Sequence, residues 1–96
     1  MEPQDGIREV LKRFKPILTE KYKVKKIGIF GSWVRGEQSE ESDVYLLVEF
    51  SEPIGWEFID LKEFLEKILG RQVHLATSRM LRQSIKDEIL RDTLYA

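Results

Sequence analysis

The sequence predicts an α/β fold in which a small mixed β-sheet is covered by helices. Apolar residues recur at three-and-four spacing in residues 6–22, 56–69 and 79–94, the period of helices with one buried face. Three short apolar or alternating runs, Val24–Phe30, Val44–Phe50 and Gln72–Ala76, read as strands. The resulting order, helix–strand–strand–helix–strand–helix, is that of a layered α/β sandwich. At 96 residues, 42% of them hydrophobic, the chain is expected to form a single domain, residues 1–96. A chain of this size buries about two thirds of its unfolded surface, so its stability is modest and a homo-oligomer or partner subunit fits.

In the first helix Ile7, Val10, Leu11, Phe14, Ile17 and Leu18 form the apolar stripe, and Asp5 is a candidate N-cap. Pro16 lies inside this pattern and lacks a backbone donor, which predicts a kink or a break. In Val24–Phe30, Ile27 and Ile29 share a face, and Gly28 lets a neighbour pack closely on the other. Gly31-Ser32 ends the strand, Ser32–Arg35 forms one helical turn, and Gly36 closes it. Residues Glu37–Ser42 are acidic and polar, hence a loop. Val44–Phe50 is apolar on both faces, as a strand buried on both sides would be.

After a turn at Ser51–Gly55, the helix Trp56–Leu69 carries Phe58, Leu61, Leu65 and Ile68 on one stripe. Gly70 suits its C-terminal cap. In the third strand Val73 and Leu75 face one way and His74 the other. Ser78 is placed to cap a final helix over residues 79–94, with Leu81, Ile85, Ile89, Leu90 and Leu94 on its apolar side. Trp33 and Trp56 are read as core or interface residues.

Composition removes several classes of function. With no cysteine there is no disulfide framework, thiolate zinc site, iron–sulfur centre or Cys nucleophile. No apolar run is long enough to span a bilayer. The N-terminal residues have neither the basic start nor the apolar stretch of a signal peptide, so a cytoplasmic protein is expected. The formal charge is −1, but it is segregated. Residues 8–26 hold eight basic side chains against two acidic ones, and residues 37–66 hold ten acidic side chains against Lys62 alone. A near-neutral total argues against a dedicated nucleic-acid binder, so none is expected.

The stretch that carries chemistry is Gly31-Ser-Trp-Val-Arg-Gly36 followed by Ser42-Asp-Val-Tyr45. A Gly-Ser that ends a strand and opens a helical turn is a candidate phosphate cradle. Glycine permits close backbone approach, Ser32 offers a hydroxyl, and Arg35 offers a guanidinium. Ten residues separate Ser32 from Asp43, at the mouth of the next strand.

With that spacing the sequence resembles the polymerase-β-type nucleotidyltransferases, and looks most like the minimal nucleotidyltransferases, also called MNT antitoxins. The resemblance runs through Lys26-Ile-Gly-Ile-Phe-Gly-Ser-x-x-Arg-Gly-Glu37, Ser42-Asp43, Leu46–Phe50, Asp60–Leu65 and the C-terminal Ile89-Leu-Arg, nearly the whole chain. It implies the nucleotidyltransferase, palm-like fold. It also implies ATP and Mg²⁺ as nucleotide and metal, with three carboxylates holding two metal ions. Family members paired with HEPN-type toxins are antitoxins, and some transfer AMP from ATP to a tyrosine of the toxin.

At the carboxylate positions this chain departs from the family. Asp43 matches the first, so it is the metal-ligand and catalytic candidate, but Tyr45 stands at the second and His74 at the third. A phenol is neutral near pH 7, and imidazole is a softer ligand than Mg²⁺ prefers. Glu49 lies about 20 Å from Asp43 along the strand, at about 3.3 Å per residue, and cannot substitute. Glu40 and Glu41 lie on the acidic loop, where nothing in the sequence positions them. The expectation is an antitoxin-like partner of a HEPN-type toxin, with a degenerate metal site and weak or no catalysis. The competing readings are an active Mg²⁺-dependent protein adenylyltransferase and a regulatory nucleotide-binding domain.

Overall fold

The computed structural model describes residues 3–37 and 43–96. The Glu40 and Glu41 positions, and most of the acidic loop, lie outside these residues. The first predicted helix is two, α1 (Pro3–Arg13) and α2 (Lys15–Tyr22). Phe14 separates them, and Pro16 sits in the first turn of α2, where its missing donor costs nothing. Asp5 lies inside the first turn of α1 rather than capping it, and its carboxylate pairs with Arg8 at 3.7 Å.

Three strands have the predicted places: β1 (Val24–Phe30), β2 (Val44–Phe50) and β3 (Val73–Ala76). Between them lie the single turn α3 (Ser32–Arg35) and the long helix α4 (Glu57–Leu69), which ends at Gly70 with φ +66°. The C-terminal part differs from expectation. In place of one helix over 79–94 there is a 3₁₀ turn at Ser78–Met80, then α5 (Gln83–Asp92), then a short strand β4 (Leu94–Tyr95). Thr77, not Ser78, precedes the 3₁₀ turn. The helix stops because the sheet offers Leu94 and Tyr95 a better place: they pair antiparallel with Ile29 and Gly28, and the Ala96 N–H donates to the Ile27 carbonyl at 2.9 Å. Gly28 makes that approach possible, since a Cβ there would lie 2.6 Å from Thr93 Cγ2 and 3.0 Å from the Leu94 carbonyl oxygen.

The sheet has the order β3-β2-β1-β4. β1 runs antiparallel to β2 and β4, and β2 runs parallel to β3, so the sheet is mixed. One face packs on α1, α2 and α4: Leu11, Leu18, Leu61 and Leu65 close over Ile27, Ile29, Leu46, Val48 and Val73. The other face is only partly covered: Phe30 and Leu47 are buried on it, while the ends of β2 are not, and here the expectation for β2 is corrected in part. Tyr45 is 39% exposed and Glu49 is exposed, so β2 is central in the sheet but not buried on both sides. Helix α5 leans only over the far end of that face, where Lys86 and Leu90 share a cavity with Leu47 and Tyr95. Among the described residues no helix is long and apolar enough to cross a membrane.

Candidate functional site

Strand alternation determines what the uncovered face presents. Phe30 is the cross-strand partner of Tyr45, and Tyr45 is that of His74, so three rings from β1, β2 and β3 stand in one row. The Tyr45 and His74 rings stack at 4.6 Å between centroids with 17° between their planes. Phe30 meets Tyr45 edge-on at 5.8 Å. Asp43, one residue before β2, reaches across to His74, whose Nε2 lies 2.8 Å from Asp43 Oδ2. Both side chains are partly open to solvent.

The loop after β1 is built against this row. Gly31 has φ +84° and ψ −146°, a conformation that side chains with a Cβ resist. Its α-carbon faces Tyr45, since a Cβ there would lie 3.7 Å from Tyr45 Cβ. Val34 and Arg35 N–H groups donate to the Gly31 carbonyl and form α3, which Gly36 closes with φ +73°. Trp33 points inward and is buried; its indole N–H donates to the Asp43 carbonyl at 3.1 Å. That bond ties the loop after β1 to the residue that opens β2. The Arg71 guanidinium lies 4.8 Å from the Trp33 ring.

The structure therefore brings Asp43, Tyr45, His74 and Gly31 together, with Ser32 next in the chain. Arg35 turns elsewhere: its Nε binds Glu37 Oε2 at 3.1 Å, and both side chains are exposed. Glu49 lies at the opposite end of β2 and pairs with Lys25 at 3.6 Å. Trp56 is 82% exposed, which removes it from the core. Two contributors were not foreseen. Phe30 extends the ring row, which the period-two pattern of β1 was able to signal; the Trp33 bond to Asp43 depends on a loop conformation that no local pattern encodes.

Of the three facing groups only Asp43 is a carboxylate, and its Oδ2 is held by an imidazole nitrogen. Among the described residues no group of three or more His, Cys, Asp or Glu side chains is arranged to hold a metal ion.

Comparison with known proteins gives the same lineage from three sides. A family model described as nucleotidyltransferase domain matches residues 11–96. The chain is 43% identical to the protein adenylyltransferase MntA of Thermococcus cleftensis, over 95% of this chain and 93% of that protein. A solved structure described as a candidate minimal nucleotidyltransferase aligns with a TM-score of 0.74 at 30% identity, covering 92% of this chain and 93% of the other. A toxin–antitoxin structure with AMP-PNP aligns with a TM-score of 0.67 at 20% identity, covering 97% of this chain and 71% of the other, a likeness of fold. The chain belongs to the nucleotidyltransferase domain family and, within it, to the minimal nucleotidyltransferases.

Proposed function

We propose that this protein is an antitoxin-like partner of a HEPN-type toxin that acts by stoichiometric binding, with a degenerate metal site and weak or no nucleotidyl transfer. The observation that carries this reading is that the groups facing the candidate site are engaged with one another. The Asp43 carboxylate is bonded to His74, and the Tyr45 ring stacks on the imidazole. Two Mg²⁺ ions beside a triphosphate need several anionic oxygens, because Mg²⁺ takes near-octahedral oxygen shells. Among the described residues, one carboxylate, one phenol and one imidazole do not supply that set of oxygens. The toxin as partner is supported by the relatives: one is named MntA, and a solved neighbour is a toxin–antitoxin structure.

A second reading, metal-dependent transfer of AMP to a partner tyrosine, has its own support. By the sequence resemblance Gly31, Ser32, Arg35 and Asp43 match the family's motif, and a relative 43% identical to this chain is named an adenylyltransferase. Calorimetric titration with ATP and Mg²⁺, repeated with Mn²⁺, separates the two. The expected result is no metal-dependent binding up to about millimolar nucleotide, a ceiling of roughly 4 kcal/mol of binding free energy. The double substitution Tyr45→Asp with His74→Asp is expected to create metal-dependent binding. Metal-dependent binding by the unaltered chain that disappears in Asp43→Ala overturns the proposal and favours transfer.

A further inference from the structure

The outer surface of the helical layer carries opposite charges side by side. Helices α2 and α4 are neighbours: Phe64 of α4 packs against Tyr22 of α2 at 5.3 Å and against Phe14, just before α2, at 5.7 Å. Leu18, Leu61 and Leu65 are buried beneath them, so the remaining faces of both helices look to solvent. The α2 side exposes Arg13, Lys15, Ile17 and Lys21, with Glu20 the one acidic side chain among them. The α4 side exposes Trp56, Ile59, Asp60 and Glu63 at three-and-four spacing, which is one ridge, and Lys67 closes it at the C-terminal end.

Three features of this surface are unusual for a free monomer. Trp56 is 82% exposed, Ile59 50% and Ile17 42%. Exposed tryptophan is what interface centres use as an anchor. Arg13, Asp60 and Glu63 take part in no ion pair among the described residues. A ridge of net positive charge beside one of net negative charge is also self-complementary: a two-fold rotation lays each α2 on the other copy's α4.

We propose that a second copy of this chain docks on this surface and forms a symmetric dimer. Arg13 and Lys21 of one protomer face Asp60 and Glu63 of the other, and Ile17, Trp56 and Ile59 supply the apolar centre. A second copy is the occupant that the charges argue for, since the chain itself carries both halves of the complementarity. The surface lies on the helical layer, across the sheet from Asp43, Tyr45 and His74, so the inference stands apart from the reading of the cleft.

Charge exchange followed by sedimentation velocity tests it, with the melting curve of each variant checking the fold. The wild-type chain is expected to dimerise at about 50 mM salt and to weaken as salt rises toward about 500 mM, where screening shortens to a few ångströms. Arg13→Glu with Lys21→Glu, and separately Asp60→Lys with Glu63→Lys, are each expected to weaken self-association at least about tenfold through like-charge contacts. An equimolar mixture of the two variants is expected to recover a one-to-one dimer, as is a single chain that carries all the exchanges. Trp56→Asp is expected to leave a folded monomer. A wild-type chain that stays monomeric at about 0.1 mM and low salt, an affinity ceiling of roughly 5 kcal/mol, overturns the proposal. A mixture that fails to pair, or single-sided variants that dimerise like wild type, overturns it as well. Loss of toxin binding by Trp56→Asp from a monomeric wild type also overturns it and reassigns the surface to that partner.

Discussion

The two faces of the sheet follow different rules. The helix-covered face is aliphatic and closed: Ile27, Ile29, Leu46, Val48 and Val73 are all at or below 2% exposure. The open face is aromatic and polar, with Phe30, Tyr45 and His74 in a row and Asp43 at its end. The first face is set by burial, where a lost methylene leaves a cavity that the fold cannot easily close. The second is set by pairwise contacts among the half-exposed Asp43, Tyr45 and His74 beside the buried Phe30 ring, where a change mostly alters what the protein can bind. The lesson is that this fold is stabilised on one side of the sheet and can change its chemistry on the other. Side chains at positions 45 and 74 can therefore change with little cost to the core.

The largest expected effect tests that division directly. Leu61→Ala, at 0% exposure beneath the helical layer, is expected to destabilise by about 2–5 kcal/mol. Tyr45→Ala gives up one stacked and one edge-on ring contact at a half-exposed position and is expected to cost about 1 kcal/mol. Urea unfolding of both variants measures the contrast. Equal losses would mean that the open face is part of the core.

The covered face was legible in the sequence and the open face only partly so. Helical spacing in Ile7, Leu11, Leu18, Leu61 and Leu65 reports burial directly, and Pro16 marked the break between α1 and α2. Alternation set His74 apart from Val73 and Leu75, and the β2–β3 register is what brings Tyr45 onto the same face. The Asp43–His74 bond was not legible, because it joins residues 31 positions apart through a register no local pattern fixes. The C-terminus was misread for a related reason. Leu90 and Leu94 continue a helical period, yet Leu94 is claimed by the edge of β1. A competing tertiary partner overrode the local signal.

The second test bears on that misread end. Gly28→Val places side-chain atoms where Thr93 Cγ2 and the Leu94 carbonyl now sit. Overpacking of this kind costs about 1–3 kcal/mol, and release of β4 is the cheapest relief. The expected outcome is faster amide exchange at Tyr95 and Ala96, with the helical layer unchanged. Protection retained at both residues would mean that β1 shifts instead and that the open face is stiffer than the covered one.

The smallest effect probes the single link between the two faces. Trp33 is buried, and its N–H is spent on the Asp43 carbonyl at 3.1 Å, so the ring belongs to the core while the bond belongs to the site. Trp33→Phe keeps most of the apolar volume and removes the donor. A lost hydrogen bond that leaves a half-buried carbonyl free to meet water costs about 1 kcal/mol. The sharper consequence is positional, because the same residue presents Oδ2 to His74 at 2.8 Å. Loosening the Asp43 backbone is expected to change the chemical shifts of the His74 ring in Trp33→Phe while leaving those of buried Leu61 in place. If the Leu61 signals move and the His74 signals do not, Trp33 acts only as core filling, and the loop after β1 does not position Asp43.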